Sequence, residues 1–252
     1  MERPLFSCVV PVKGARPYFD EALTSLKGQG LEEELEIIVQ DGDAEPDSGQ
    51  SDALNKGFAK AKGAWLFWLN ADDVLLPGAL KKVQQLITHN SKLSTLNWIA
   101  GNQLLIDDKG NVVKCSVGNK WHGWLYRNAV PHVYGPSSFF RREFFEHVGG
   151  FDASLKFCMD WELWIKFMKA GASFRRIDGY LWAQRQWTGS KTQRSLSKEE
   201  KAEHLAEVDR MCANSGFEIT MGGAWLTRAV RMLEGCYLRE IADGFKWKGK
   251  RV

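Results

Sequence analysis

Short apolar runs and helix-spaced apolar positions alternate along the first third of the chain. Phe6 to Val12 is almost wholly apolar and rich in β-branched residues, and Lys13-Gly14 stops it, the pattern of a buried strand. Between Tyr18 and Leu26, the residues Phe19, Ala22, Leu23 and Leu26 recur at helical spacing before Gly28 and Gly30. Leu35 to Gln40 reads as a second strand ending at Asp41-Gly42-Asp43. Asp52 to Ala61 reads as a helix closed by Gly63. Ala64 to Leu69 is a third strand, ending at Asn70-Ala71-Asp72-Asp73, and Pro77 opens a helix that runs to about His89. Successive βα units predict a mostly parallel sheet flanked by helices. Such sheets bind ligands beyond the carboxyl ends of their strands, so the clusters after each strand should share one edge.

The middle of the chain is less periodic. Asn97 to Val113 predicts two strands about a turn at Asp107–Asn111, and residues 114–135 predict an aromatic-rich loop. A short strand at Ser138–Phe140, a short helix at Arg142–His147 and a firm helix at Met159–Ala170 follow. Strands are then expected at 173–177 and 180–186, and helices at about 197–213 and 223–241. The division implied is a domain over 1–195, in halves to about 95 and from about 96, and a helical extension over 196–252.

Composition narrows the classes. Among the 252 residues, 44% are hydrophobic and 26% charged, ordinary for a globular chain, and a net charge of +3 gives no reason to expect a nucleic-acid partner. No run approaches the ~18 apolar residues of a membrane span. The opening MERPLFSCVVPV lacks the layout of a signal peptide, and the scattered cysteines contain no CxxC, so a reducing cytoplasm is expected. Eleven Trp suit binding of flat ligands or packing equally. Trp65, Trp68 and Trp164 fall on inward positions and are assigned to packing.

The chemistry concentrates at the strand ends. Asp72 and Asp73 follow an apolar strand beside the one that ends at Asp41, which suits a divalent ion shared with substrate phosphates; capping of the next helix would use the same residues. Neither GxxxxGK[ST] nor GxGxxG occurs, so phosphate charge needs another neutraliser.

The runs Phe6–Val12, Glu36–Gly42, Gly49–Gly57, Trp68–Asp73 with Pro77–Leu80, Ser138–Arg142 with Val148–Asp152, and Met159–Trp164 resemble, in order, family 2 glycosyltransferases. The resemblance spans about residues 5–190. It implies a GT-A fold and inverting transfer of a sugar from a nucleotide diphosphate donor, with UDP first in order, assisted by Mn²⁺ or Mg²⁺. The acceptor implied is a glycan or lipid-linked glycan of bacterial-type surface polysaccharide synthesis. Residue by residue, it implies Asp160 as the base that takes the acceptor proton and Asp72 as metal ligand. Pro11, Val12, Asp41, Asp43, Gln50, Asp52, Asn70 and Ala71 would bind the nucleotide. Trp121, Trp124, His132 and Trp161 would stand toward the acceptor, and Arg185, Trp187, Ser190 and Lys191 toward the diphosphate. Asn70 departs from the first acid of the family's DxD motif, and Trp187 stands where the family has a His.

Residues 223–252 carry seven basic and three acidic residues around apolar positions at helical spacing. Such a segment either packs on the domain or lies on an anionic membrane, which would place the protein on the inner face of the plasma membrane. A catalytically weak sugar- or nucleotide-binding module and a nucleotidyltransferase share parts of this pattern.

Overall fold

The computed structural model describes residues 3–88, 95–120, 132–190, 197–216 and 220–252. The strands are β1 (Phe6–Val12), β2 (Leu35–Asp41), β3 (Trp65–Trp68), β4 (Val74–Leu75), β5 (Leu96–Ile106), β6 (Val112–Ser116), β7 (Ser138–Arg141) and β8 (Ser173–Arg185). The helices are α1 (Phe19–Lys27), α2 (Gln50–Lys60), α3 (Ala79–Thr88), α4 (Arg142–His147), α5 (Met159–Lys169), α6 (Lys198–Ser215), α7 (Met221–Leu233) and α8 (Cys236–Trp247).

All eight strands form one sheet, ordered β2-β1-β3-β7-β5-β8-β4, with β6 pairing β5. Strands β2, β1 and β3 are parallel, as the alternation with helices predicts. Antiparallel β7 is wedged between β3 and β5, while β5 and β8 run parallel. The sheet is therefore mixed beyond its first three strands.

Two apolar layers sandwich the sheet. On one face α1 and α3 bury Ala22, Leu26, Leu80 and Val83 against Phe6, Phe67 and Phe139. On the other, α2, α4 and α5 bring Leu54, Phe58, Phe145, Leu163 and Phe167 against Val9, Leu66 and Phe140. Most of the described Trp complement is consumed here: Trp98 stacks on Trp164 with centroids 4.5 Å apart, and Trp65, Trp68, Trp98 and Trp164 are fully buried. Gly57 permits the close seat of α2 on β1, because a Cβ there would fall 2.4 Å from a Val9 methyl.

Three expectations are corrected. Residues 173–185 form one strand rather than two, carrying register shifts against β5 instead of a break. The final helix is two helices, because Gly235 sits at φ 70° and ends α7 in the left-handed conformation. The short β4 lay unread in the loop after Asp73; its pairing with Trp182 and Ala183 of β8 is a long-range contact that no local pattern reports. Among the described residues, no helix is long and apolar enough to cross a membrane.

Candidate functional site

Parallel pairing places Val12 opposite Asp41 and Val9 opposite Trp68, so the carboxyl ends of β1, β2 and β3 meet at one edge. A cavity of about 430 Å³ opens there. Pro11 and Val12 line it from β1, Gln50 from the start of α2, Asn70, Ala71 and Asp72 from the turn after β3, and Arg185, Trp187 and Ser190 from the end of β8. The sheet thus gathers residues separated by more than half the chain.

A chain of hydrogen bonds fixes the turn after β3. Gln50 Nε2 donates to Asn70 Oδ1 at 2.8 Å, Asn70 Nδ2 donates to Asp73 Oδ2 at 2.8 Å, and the Arg185 amide donates to Asp73 Oδ1 at 2.9 Å. Burial, reinforced by the neighbouring Asp72 carboxylate, pushes Asp73 up to about 8. Asp73, which is 2% exposed, is therefore a structural anchor at the cavity wall, where Asp72 and a Lys13-paired Asp47 also stand. Both amide atoms of Asn70 serve this chain, so Asn70 positions the turn.

Trp187 explains its own departure from the family pattern. Its Nε1 donates to Asp72 Oδ2 at 2.8 Å, and its ring meets Tyr18 edge-on at 5.4 Å. An indole N–H cannot ligate a metal, but here it orients the carboxylate that can. Arg185 lines the cavity with its guanidinium already engaged: it donates to the carbonyls of Asp72, Asp107 and Asp108, pairs with Glu21 at 2.7 Å, and lies 4.3 Å above the Tyr18 ring.

Three predicted nucleotide contacts lie off the cavity lining. Asp41 accepts from the Asp43 amide and pairs with Arg16 at 3.0 Å, and these hold it below its ordinary value. Asp43 accepts from the Gly14 amide at 2.8 Å, tying the loops after β1 and β2 together. Asp52 accepts from the Ser48 amide and Lys56. These carboxylates shape the cavity's rim.

A second cavity of about 420 Å³ adjoins the first, and Gln50, Asn70 and Gln184 line both. Asp160 lines the second from the first turn of α5, where its Oδ1 accepts from the Trp161 amide at 2.8 Å. Gly135 keeps this space open: a Cβ there would lie 2.5 Å from the Trp68 ring and 3.5 Å from Asp160 Oδ2. Tyr134 also lines it, and burial pushes its phenol up to about 12, so it stays an O–H donor. His132 falls outside the lining of both cavities. Trp161 packs instead against the Cys158, Ile165 and Met211 cluster. Trp121, Trp124 and Lys191 lie outside the described residues.

Sequence reasoning named Arg185 of β8 but missed Gln184 beside it and the residues that α6 contributes. His204 of α6 lines the second cavity and stacks on Phe157 at 5.2 Å. Glu207, fully buried, accepts from the Lys156 and Phe157 amides at 2.7 and 2.8 Å, tying down the segment that enters α5. No local signal marks either, since α6 reads as a polar amphipathic helix. Gln184, a polar residue closing the apolar run Tyr180–Ala183, was visible. Glu207→Ala leaves two part-buried N–H groups without their acceptor, and the expected loss of stability is about 1–2 kcal/mol by urea unfolding. Glu207→Gln, which keeps one acceptor, should recover part of it; a loss under about 0.5 kcal/mol for the alanine variant would contradict this role.

Among the described residues, no group of three His, Cys, Asp or Glu side chains could hold a metal ion. Of the three described carboxylates lining the first cavity, Asp73 is held inside the turn and Asp47 is paired with Lys13 at 3.5 Å, which leaves Asp72 as the donor for an ion there. That carboxylate fits a divalent ion shared with substrate phosphates, since Mg²⁺ commonly takes one or two carboxylates and completes its shell with phosphate oxygens and water.

The sequence model described as glycosyl transferase family 2 matches residues 43–149. An uncharacterized glycosyltransferase of Rickettsia prowazekii is 26% identical over 197 residues, 68% of this chain and 61% of the relative. A PGL/p-HBAD biosynthesis glycosyltransferase of Mycobacterium bovis is 22% identical over 66% of this chain and 70% of the relative. The chain spans 61% of the first relative and 32% of a second from Rickettsia felis. Among solved structures, S. aureus TarS 1-349 in complex with UDP-GlcNAc matches with a TM-score of 0.61 at 16% identity, over 84% of this chain and 68% of that chain. The mannosyltransferase PcManGT from Pyrobaculum calidifontis, in complex with GDP-Man and Mn²⁺, matches with a TM-score of 0.53 at 18% identity, over 83% of this chain and 65% of that one. The family model and the curated relatives agree with the resemblance carried by the motifs, and the solved structures show the GT-A fold.

Proposed function

We propose, with the family 2 glycosyltransferase resemblance as premise, that this chain transfers a sugar from a nucleotide diphosphate donor to a hydroxyl of a glycan or lipid-linked glycan, with inversion. The single observation that carries this reading is the sharing of Gln50, Asn70 and Gln184 by two adjoining cavities, one bearing Asp72 and the other Asp160. Donor and acceptor then meet at a common wall.

In this reading the first cavity holds the nucleotide diphosphate, with Pro11 and Val12 against the base and ribose. The acceptor enters the second cavity with its hydroxyl toward Asp160. Asp160 takes the hydroxyl proton as the oxygen bonds to the anomeric carbon, and the bond from that carbon to the diphosphate breaks on the opposite face. One displacement inverts the centre, and a single base suffices. Asp72, oriented by Trp187, would hold a divalent ion together with the donor phosphates. That ion supplies Lewis-acid neutralisation of the departing diphosphate. The relatives' names support a place in polysaccharide or glycolipid synthesis, and the nucleotides carried by TarS and PcManGT support UDP and GDP as the first donors to test.

Calorimetric titration with UDP, GDP and dTDP, each with Mn²⁺ and with EDTA, tests the reading. One nucleotide should bind in Mn²⁺ and lose at least tenfold in affinity in EDTA, and Asp72→Ala should behave in Mn²⁺ as the wild type does in EDTA. Absence of nucleotide binding under every condition would favour a module without donor chemistry.

A further inference from the structure

The last two helices turn apolar side chains outward. On α7, Thr227 and Arg231 face the domain, Arg231 donating to the Val117 carbonyl at 2.6 Å and pairing with Glu240 at 2.7 Å. On the other side of that helix, Trp225 and Leu233 stand 67% and 84% exposed. On α8, Cys236 is buried while Leu238, Ile241 and Phe245 are 74%, 60% and 90% exposed. These three recur at the i, i+3, i+7 spacing of one helix face. Apolar surface on this scale marks a docking face rather than chance exposure.

Charge is sorted in the same sense. The acids of this segment are all turned to the domain: Glu234 accepts from the Lys120 amide, Glu240 pairs with Arg231, and Asp243 accepts from the Tyr180 hydroxyl. The basic residues Arg228, Lys246, Lys248, Lys250 and Arg251 are exposed beside the apolar face. A stripe of Trp, Leu, Ile and Phe flanked by outward cations, with the acids withdrawn, complements an anionic lipid surface. A second copy on the same face would bring like charges together across a two-fold axis.

We propose that the exposed face of α7 and α8 binds an anionic membrane surface, with Phe245, Ile241 and Leu238 entering the headgroup region and Lys246 and Lys248 meeting lipid phosphates. This inference does not rest on the transfer reading. Sedimentation of the chain with vesicles of phosphatidylcholine, alone or mixed with phosphatidylglycerol, tests it. Binding should be at least tenfold stronger to the mixed vesicles and should weaken as salt rises. Lys246→Gln with Lys248→Gln should lower partition about fivefold per charge. Phe245→Ser should lower it further with an unchanged unfolding midpoint, since that side chain is exposed in the folded chain. Equal binding to both vesicles, or binding to neither, would overturn the proposal. A dimer in solution that Phe245→Ser dissociates would also overturn it, assigning the face to a second copy.

Discussion

Asp160→Asn should leave nucleotide binding unchanged and lower the transfer rate by roughly a hundred- to ten-thousandfold, the range that one positioned general base contributes. The substitution is nearly isosteric and keeps a side-chain oxygen to accept from the Trp161 amide, a bond now 2.8 Å long. The start of α5 therefore stays formed, and the loss reports proton transfer. Pairing calorimetry of the nucleotide with a turnover assay separates the two quantities. A rate within about threefold of wild type would move the base elsewhere. His204, which lines the same cavity from α6, would be the next residue to test.

The second large effect is on stability. Arg185→Met should cost on the order of 3–5 kcal/mol, the range for removing one partner from a buried ionic network. The guanidinium is 1% exposed and ties four places together: the turn after β3 through the Asp72 carbonyl, the β5–β6 turn through Asp107 and Asp108, α1 through Glu21, and the Tyr18 ring. Its removal leaves those part-buried carbonyls without their donor. Glu21 itself is 39% exposed, so water will take over part of its charge and the carbonyls carry most of the cost. Urea unfolding should show a lower midpoint at unchanged slope. Arg185→Lys should restore little, because an ammonium cannot span the same acceptors as a planar fork. A loss below about 1 kcal/mol for the methionine variant would show that the network is dispensable.

Trp187 and Asn70 illustrate how substitution at a motif position changes a role without emptying it. Both differ from the pattern that the family resemblance supplies, and both sit where a ligand-facing group was expected. Neither is a vestige: Trp187 orients Asp72 and closes on Tyr18, and Asn70 passes a hydrogen bond from Gln50 to Asp73. The protein around Asp72 is thus built to hold that one carboxylate still.

Local pattern was enough for β1, β2, β3 and the helices that follow them, because each buries a stripe whose period is written in adjacent residues. It also placed Pro11, Asn70, Ala71 and Asp72 at one edge, since parallel strands joined by helices align their carboxyl ends. Asp160 by its position alone read as a carboxylate capping the start of a helix, and only the family resemblance singled it out. Residue chemistry and spacing could not tell Asp72 from its neighbour Asp73, and only the family resemblance singled out Asp72. Only the pairing of β4 with β8 buries Asp73 beneath the Arg185 amide and leaves Asp72 at the cavity. Nor could it foresee that Asp41 would be spent on Arg16, or that Glu207 of α6 would fasten the approach to Asp160. Such contacts join residues tens of positions apart, and their energy is absent until the chain closes. The sequence by itself determined which segments fold and which edge gathers the polar ends, because those follow from burial of adjacent residues. Tertiary structure alone decided which carboxylates face the cavities and which hold the walls, because desolvation and hydrogen bonding act on a side chain only after its distant partners arrive.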